Sequence, residues 1–143
     1  MLVYLDTSAL AKWYLNESRS DEFEEYLRAT DEPTVSTLVL VEMRCMLARR
    51  RRSGEIDERV ESRIALQVED DVAAGYLLMR PVGDEHLLAA RRLIERLEPL
   101  ALRTLDAIHL AIALQIGAAE MATADRVMAA AATELGIRVS RFD

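Results

Sequence analysis

Four carboxylates stand out by their surroundings. Asp6 ends the apolar run Leu2 to Leu5; Glu42 is flanked by Leu40, Val41 and Met43; Asp106 lies in the mostly apolar stretch Ala101 to Ala113; and Asp125 follows Glu120 to Thr123. A charge among apolar residues is expensive unless something pairs with it. Each has a plainer reading. Asp6 and Asp125 could be helix N-caps, although Thr7 and Ser8 can cap in place of Asp6 and Thr123 in place of Asp125. Glu42 could be a solvated helix residue, and Asp106 could be held by the positive end of a helix dipole. Brought together from four segments, such groups repel one another, and a fold tolerates that mainly when a hard divalent cation neutralises them. Oxygen-only ligands suit Mg²⁺ or Mn²⁺. Zinc is disfavoured, because His86, His109 and Cys45 show no ligand spacing. The chemistry natural to one or two such ions is phosphodiester hydrolysis, in which the metal polarises the phosphate and lowers the pKa of a water.

The elements that must position these groups can be read from periodicity. Leu2 to Leu5 is a short strand, followed by a tight turn and a helix over Ala9 to Leu15. Ser20 to Arg28 is a second helix with Phe23, Tyr26 and Leu27 on one face. Thr34 to Ser36 is a strand, and Leu38 to Arg51 is a helix whose Leu38, Val41, Cys45 and Ala48 recur at helical spacing. Ile56, Val60, Ile64, Val68 and Val72 form a narrow stripe on a charged helix. Tyr76 to Val82 reads as a strand and Glu85 to Leu97 as a helix, with His86 at the surface. Leu105 to Ile116 is apolar on nearly all faces, which marks a buried helix stopped by Gly117. Glu120 to Thr123, Asp125 to Leu135 and Ile137 to Val139 close the chain as strand, helix and strand. Strands alternating with helices predict a parallel sheet covered on both faces. In such sheets ligands collect at the carboxyl ends of the strands, where Asp6 and Asp125 fall.

The chain has 143 residues, 51% of them apolar, which suits one domain spanning residues 1–143. The best membrane-spanning candidate, Ala107 to Ala119, is too short and contains His109 and Gln115, so no membrane partner is expected. Asp6 interrupts any signal-peptide core. With Cys45 as the one cysteine no internal disulfide can form, which fits a reducing cytoplasm. The net charge of −7 argues against simple binding to a polyanion, but the charge is patterned. Arg49, Arg50, Arg51 and Arg52 form a basic run, and Arg91, Arg92, Arg96 and Arg103 thicken a second region.

The motifs as they stand resemble those of PIN-domain proteins. Val3-Tyr4-Leu5-Asp6-Thr7-Ser8-Ala9-Leu10 resembles their opening strand and turn, and Leu38-Val39-Leu40-Val41-Glu42 their second acidic motif. Leu105-Asp106-Ala107-Ile108-His109-Leu110-Ala111 is similar to the third, and Ala122-Thr123-Ala124-Asp125 to the fourth. Any one alone is weak; four in order over nearly the whole chain are specific. The size is similar to that of VapC toxins of toxin–antitoxin pairs. The resemblance implies a three-layer α/β/α sandwich around a mostly parallel sheet of about five strands, and an endoribonuclease dependent on Mg²⁺ or Mn²⁺. Carried residue by residue, it makes Asp6, Glu42, Asp106 and Asp125 metal and catalytic residues. Thr7, Ser8 and Thr123 become supporting hydroxyls near the metal or phosphate. It further implies an RNA substrate, a homodimer and a VapB-like antitoxin.

Within that reading, Arg49 to Arg52 either hold RNA phosphates or complement a helix dipole. His109, one turn beyond Asp106, is read as a core or hydrogen-bonding residue and not a reacting one. Trp13, Tyr14 and Met43 are read as core or dimer contacts. Two other folds are disfavoured. A haloacid dehalogenase-like phosphatase needs a second Asp where Ser8 stands, and a receiver domain needs a late Lys, whereas Lys12 is the one lysine. The remaining alternative is a PIN-fold RNA- or protein-binding module without turnover.

Overall fold

The computed structural model describes residues 1–143. The short β-prone runs become five strands: β1 (Leu2–Leu5), β2 (Glu32–Ser36), β3 (Leu78–Arg80), β4 (Glu120–Thr123) and β5 (Arg138–Arg141). The helices are α1 (Thr7–Tyr14), α2 (Ser20–Arg28), α3 (Leu38–Arg52), α4 (Glu58–Ala73), α5 (Asp84–Arg96), α6 (Thr104–Gln115) and α7 (Arg126–Glu134). The sheet runs in the order β3-β2-β1-β4-β5, and every pairing is parallel.

Alternation along β1 sorts the core into two halves. Val3 and Leu5, with Val35 and Ala122, face the side covered by α1 to α4, where Leu10, Phe23, Val39, Met43, Leu47, Ile64 and Val68 are buried. Tyr4 and Met121 face the opposite side, against Ala90 and Leu93 of α5, Ile108 to Ala113 of α6, and Met128, Ala131 and Ala132 of α7. The result is the three-layer α/β/α sandwich. On α4 the stripe faces the core, with Ile64 and Val68 buried and Val60 and Val72 partly so, whereas Ile56 precedes the helix. No helix is long and apolar enough to cross a membrane.

Three expectations need correction. On α3 the buried face is Val39, Met43 and Leu47, while Val41 is 71% exposed and Cys45 is at the surface. The first turn of this helix is apolar all round, so periodicity there does not choose a face; packing against the sheet does. His86 is buried, not exposed. Its Nδ1 accepts from the Gly83 N–H at 2.9 Å and its Nε2 meets Gln115 Oε1, so it ties the start of α5 to the end of α6. The third strand is only Leu78–Arg80, and the last begins at Arg138, one residue later than its apolar start.

Candidate functional site

Each of the four carboxylates is held by a local device, and two of them are helix N-caps. Asp6 directly follows β1 and is the N-cap of α1: its Oδ1 accepts the Ala9 N–H at 2.9 Å and the Ser8 hydroxyl at 2.7 Å. The cap is therefore Asp6 itself, not Thr7 or Ser8, and the carboxylate is fixed by doing it. Register then brings in β4. Leu5 pairs with Ala122, so the next residues lie side by side, and Thr123 Oγ1 donates to Asp6 Oδ2. Asp125 repeats the arrangement as N-cap of α7, with Oδ1 accepting the Met128 N–H at 2.8 Å. Its own N–H donates to Thr123 Oγ1 at 3.0 Å, and the Ala124 N–H donates to Ser8 Oγ at 2.9 Å. Ser8 and Thr123 thus stitch the β1 and β4 motifs together.

Asp106 sits in the first turn of α6, where the helix dipole favours an anion. Glu42 lies one turn into α3, half-buried, and both its donors converge on one oxygen. Thr7 Oγ1 donates to Oε1 at 2.8 Å and His109 Nε2 lies 2.5 Å from the same atom. Behind it, His109 is buried, and its Nδ1 lies 2.6 Å from the Tyr4 hydroxyl, which donates to Ser36 Oγ at 3.1 Å. A hydrogen-bonded chain therefore runs from Ser36 through Tyr4 and His109 to Glu42, ending on Oε1 and leaving Oε2 free. No buried side-chain nitrogen or oxygen in the protein lacks a partner.

Sequence reasoning missed Arg103. This residue, the N-cap of α6, reaches Asp106 Oδ2 through Nε at 3.3 Å and Asp125 Oδ2 through Nη2 at 3.2 Å. Its three-residue spacing to Asp106 at a helix start was the available signal. The structure thus links Asp6, Ser8, Thr123, Asp125 and Asp106 in one hydrogen-bonded cluster at the carboxyl end of the sheet and Glu42 with Thr7 and His109 in a second, the two meeting where Thr7 follows Asp6. It does not add Arg50 or Arg51. Arg50 pairs with Glu17 at 3.0 Å, and Arg51 with the buried Glu61 at 3.0 Å, so half of the basic run is engaged in the fold. Arg49 and Arg52 make no such pair.

The electrostatics follow the contacts. Burial pushes the Asp6 carboxyl above its ordinary value, and His109 with the Thr123, Ser8 and Ala9 hydrogen bonds offsets only part of this. Burial also pushes Glu42 up, but the hydrogen bond and charge of His109, with Thr7 and Arg103, outweigh it and hold the group below the usual carboxylate range. Burial raises the Tyr4 hydroxyl. The charge of Asp106, with its hydrogen bond and Asp125, strengthens the protonated state of Arg103.

The donor chemistry fits a hard divalent cation, since every candidate ligand is a carboxylate oxygen. As arranged here, no group of three or more His, Cys, Asp or Glu side chains closes on a common point suited to a metal. The reason is visible in the contacts: Arg103 spans Asp106 and Asp125, and Asp6 spends its oxygens on hydroxyls and a backbone N–H. A cavity of about 800 Å³ lies elsewhere, lined by Trp13, Tyr14, Arg28, Asp71 and Tyr76 among others, and includes none of the four carboxylates. The carboxylates lie instead around the carboxyl ends of the strands, where parallel-sheet proteins bind ligands.

Comparison with known proteins places this architecture. Residues 3–134 match the PIN domain family model. The chain is 32% identical to Ribonuclease VapC46 of Mycobacterium tuberculosis over 144 residues, covering 96% of this chain and 95% of that protein. Among solved structures it resembles VapC20 of Mycobacterium tuberculosis, described as a Sarcin-Ricin loop cleaving toxin, with a TM-score of 0.73 at 18% identity, covering 90% of this chain and 94% of that one. It also resembles VapBC2 from Rickettsia felis bound to a DNA fragment from their promoter, with a TM-score of 0.68 at 13% identity and full coverage of both chains.

Proposed function

Because this chain belongs to the PIN-domain family, we propose that it is a metal-dependent endoribonuclease and the toxin of a VapBC-type pair. The ribonuclease reading is supported by the full-length relation to VapC46. The observation that carries the site assignment is the meeting, at the carboxyl end of the sheet, of two hydrogen-bonded clusters, one holding Asp6, Asp106 and Asp125 and the other holding Glu42 through Thr7, the residue after Asp6.

In this reading Asp6, Glu42, Asp106 and Asp125 hold Mg²⁺ or Mn²⁺, and the ion supplies charge neutralisation at the scissile phosphate and an acidified water. The protein's own groups do the positioning. Thr7 and His109 fix Glu42 by Oε1 and present Oε2. Ser8 and Thr123 hold Asp6 and keep the β1 and β4 segments in register. The first turn of α1 offers a dipole that favours an anion. Arg49 and Arg52, the two free members of the basic run, are assigned to RNA phosphates outside the centre.

The reading also takes in an antitoxin partner, supported by the fold neighbour solved as a VapBC complex, and a homodimer of a single-domain subunit. It sets the protein in the cytoplasm, with RNA and its antitoxin. The decisive experiment is cleavage of RNA by purified protein with Mg²⁺, Mn²⁺, Ca²⁺ or excess EDTA, alongside Asp106→Asn. Mg²⁺ or Mn²⁺ should support cleavage, Ca²⁺ and EDTA should not, and the variant should be slower by at least about 100-fold. Cleavage persisting in EDTA would refute the metal assignment. Binding of RNA without cleavage under every condition would favour a module without turnover.

A further inference from the structure

Arg103 bridges two of the acidic motifs. It is 76% exposed, yet one guanidinium bonds carboxylates from two separate motifs, Asp106 and Asp125, and its charge also acts on Glu42. Its backbone cannot follow the side chain. The Arg103 N–H points at Asp106 Oδ2 at 3.4 Å, and its carbonyl accepts the Ala107 N–H at 3.1 Å, so the main chain is fixed as the cap of α6. The side chain has no other partner. The arrangement is an exposed cation tethered at the rim of an acidic centre.

We propose that Arg103 is a phosphate-positioning residue that is stored, without metal and substrate, as the internal counter-ion of Asp106 and Asp125. This rests on the nuclease reading above and extends it. Exposed ion pairs are weak, whereas a divalent ion binds carboxylates far more strongly. When such an ion takes Asp106 and Asp125, the guanidinium loses both acceptors and faces a like charge. Tethered at the cap of α6, it remains beside the centre. The anion that then comes within its reach is the phosphodiester, which a guanidinium fork binds with two parallel hydrogen bonds. Metal and substrate thus load together: the ion releases the arginine, and the arginine meets the substrate.

Two consequences point in opposite directions, which makes the proposal testable. Removing the guanidinium removes a competitor for the carboxylates, so Arg103→Gln should bind Mn²⁺ more tightly. It also removes a phosphate contact, so the variant should bind RNA more weakly. Mn²⁺ binding is measured calorimetrically on the RNA-free protein, and binding of a short single-stranded RNA is measured with Ca²⁺ present at several salt concentrations. The expected results are a Mn²⁺ Kd lowered by about 3- to 10-fold, an RNA Kd raised by about 10-fold, and a salt slope shallower by about 0.7. Unchanged or weaker Mn²⁺ binding in the variant overturns the counter-ion role, and an unchanged RNA Kd and slope overturn the phosphate role. Wild-type protein that neither binds Mn²⁺ nor cuts RNA would instead refute the underlying nuclease reading, and so is distinct from either failure.

Discussion

Tyr4→Phe tests the buried chain that ends on Glu42. The substitution keeps the ring, which packs edge-on against His109 with centroids 5.7 Å apart, and deletes one oxygen. That oxygen serves both His109 Nδ1 at 2.6 Å and Ser36 Oγ at 3.1 Å, at a residue with no solvent exposure. His109 Nδ1 would be left with no partner in a site 2% exposed, a loss of about 1–3 kcal/mol. Ser36 keeps the Leu38 N–H at 3.3 Å, so its loss is smaller, about 0.5–1.5 kcal/mol. Together these give roughly 2–4 kcal/mol. For 143 residues the unfolding entropy is about 0.3 kcal/mol/K, so Tm should fall by about 7–13 °C. Urea unfolding of the metal-free protein measures the change, with an unchanged m-value showing that the unfolded state is not the cause. In a His109→Leu background the same substitution should cost only the Ser36 part, giving a coupling of about 1 kcal/mol or more. Because the chain terminates on Glu42, the variant should also cut RNA about 10-fold more slowly at a temperature where it is fully folded. A stability change under about 0.5 kcal/mol, or no coupling to His109, would refute the hydrogen-bonded chain.

Two further outcomes follow from the contacts. Burial raises the Asp6 carboxyl, so the folded protein keeps a proton there that the unfolded chain has released, and this contribution to stability is lost as pH rises through the folded-state value. Asp6→Asn should therefore melt higher than wild type near pH 7 in EDTA, with the gap closing toward pH 3.8, the group's ordinary value; a lower melting temperature at pH 7 would mean that the cap outweighs the buried charge. Within the basic run, Arg51→Gln should lower stability by about 1–2 kcal/mol by leaving the buried Glu61 short of its partner, while Arg49→Gln with Arg52→Gln should leave melting unchanged and flatten the salt dependence of RNA binding. An unchanged salt slope for that pair would confine the run to the helix end.

Much of the architecture was legible because strand and helix periods are local properties. Ser20–Arg28 and Glu120–Thr123 fall where the pattern puts them, and the four-residue stripe of α4 is the stripe that packs. What was not legible depends on partners distant in the chain. Leu38 to Val41 offer an apolar residue in every direction, so only the sheet decides that Val39 goes in and Val41 stays out. His86 looks like a surface histidine until Gln115, 29 residues away, is placed against it. Arg103 counted as one charge among several until Asp125 was brought to it from 22 residues downstream.

Capping and ligation looked like rival explanations of Asp6 and Asp125 in the sequence, and the geometry of a cap makes the two compatible. A carboxylate has two oxygens, and a cap uses one. Asp6 caps with Oδ1 and turns Oδ2 toward Thr123; Asp125 caps with Oδ1 and turns Oδ2 toward Arg103. Glu42, in a helix interior with no cap to make, reaches the same state by other means, with Thr7 and His109 both on Oε1. One oxygen anchored to the fold orients the other without a dedicated scaffold, and a cap supplies that anchor from residues within one turn. This also explains why the carboxylates are spread when Arg103 is their cation. Each anchor is rigid and local, whereas closure of the cluster depends on the charge placed among the outward oxygens. A divalent ion and a guanidinium differ in size and charge, so they select different spacings of the same anchored groups. If that is so, Asp125→Ser, which keeps a cap on Met128 N but removes the outward oxygen, should melt within about 0.5 kcal/mol of wild type in EDTA. It should also lose the stabilisation that Mg²⁺ gives wild type. A variant equally stabilised by Mg²⁺ would place Asp125 outside the metal's ligands and leave it a cap alone.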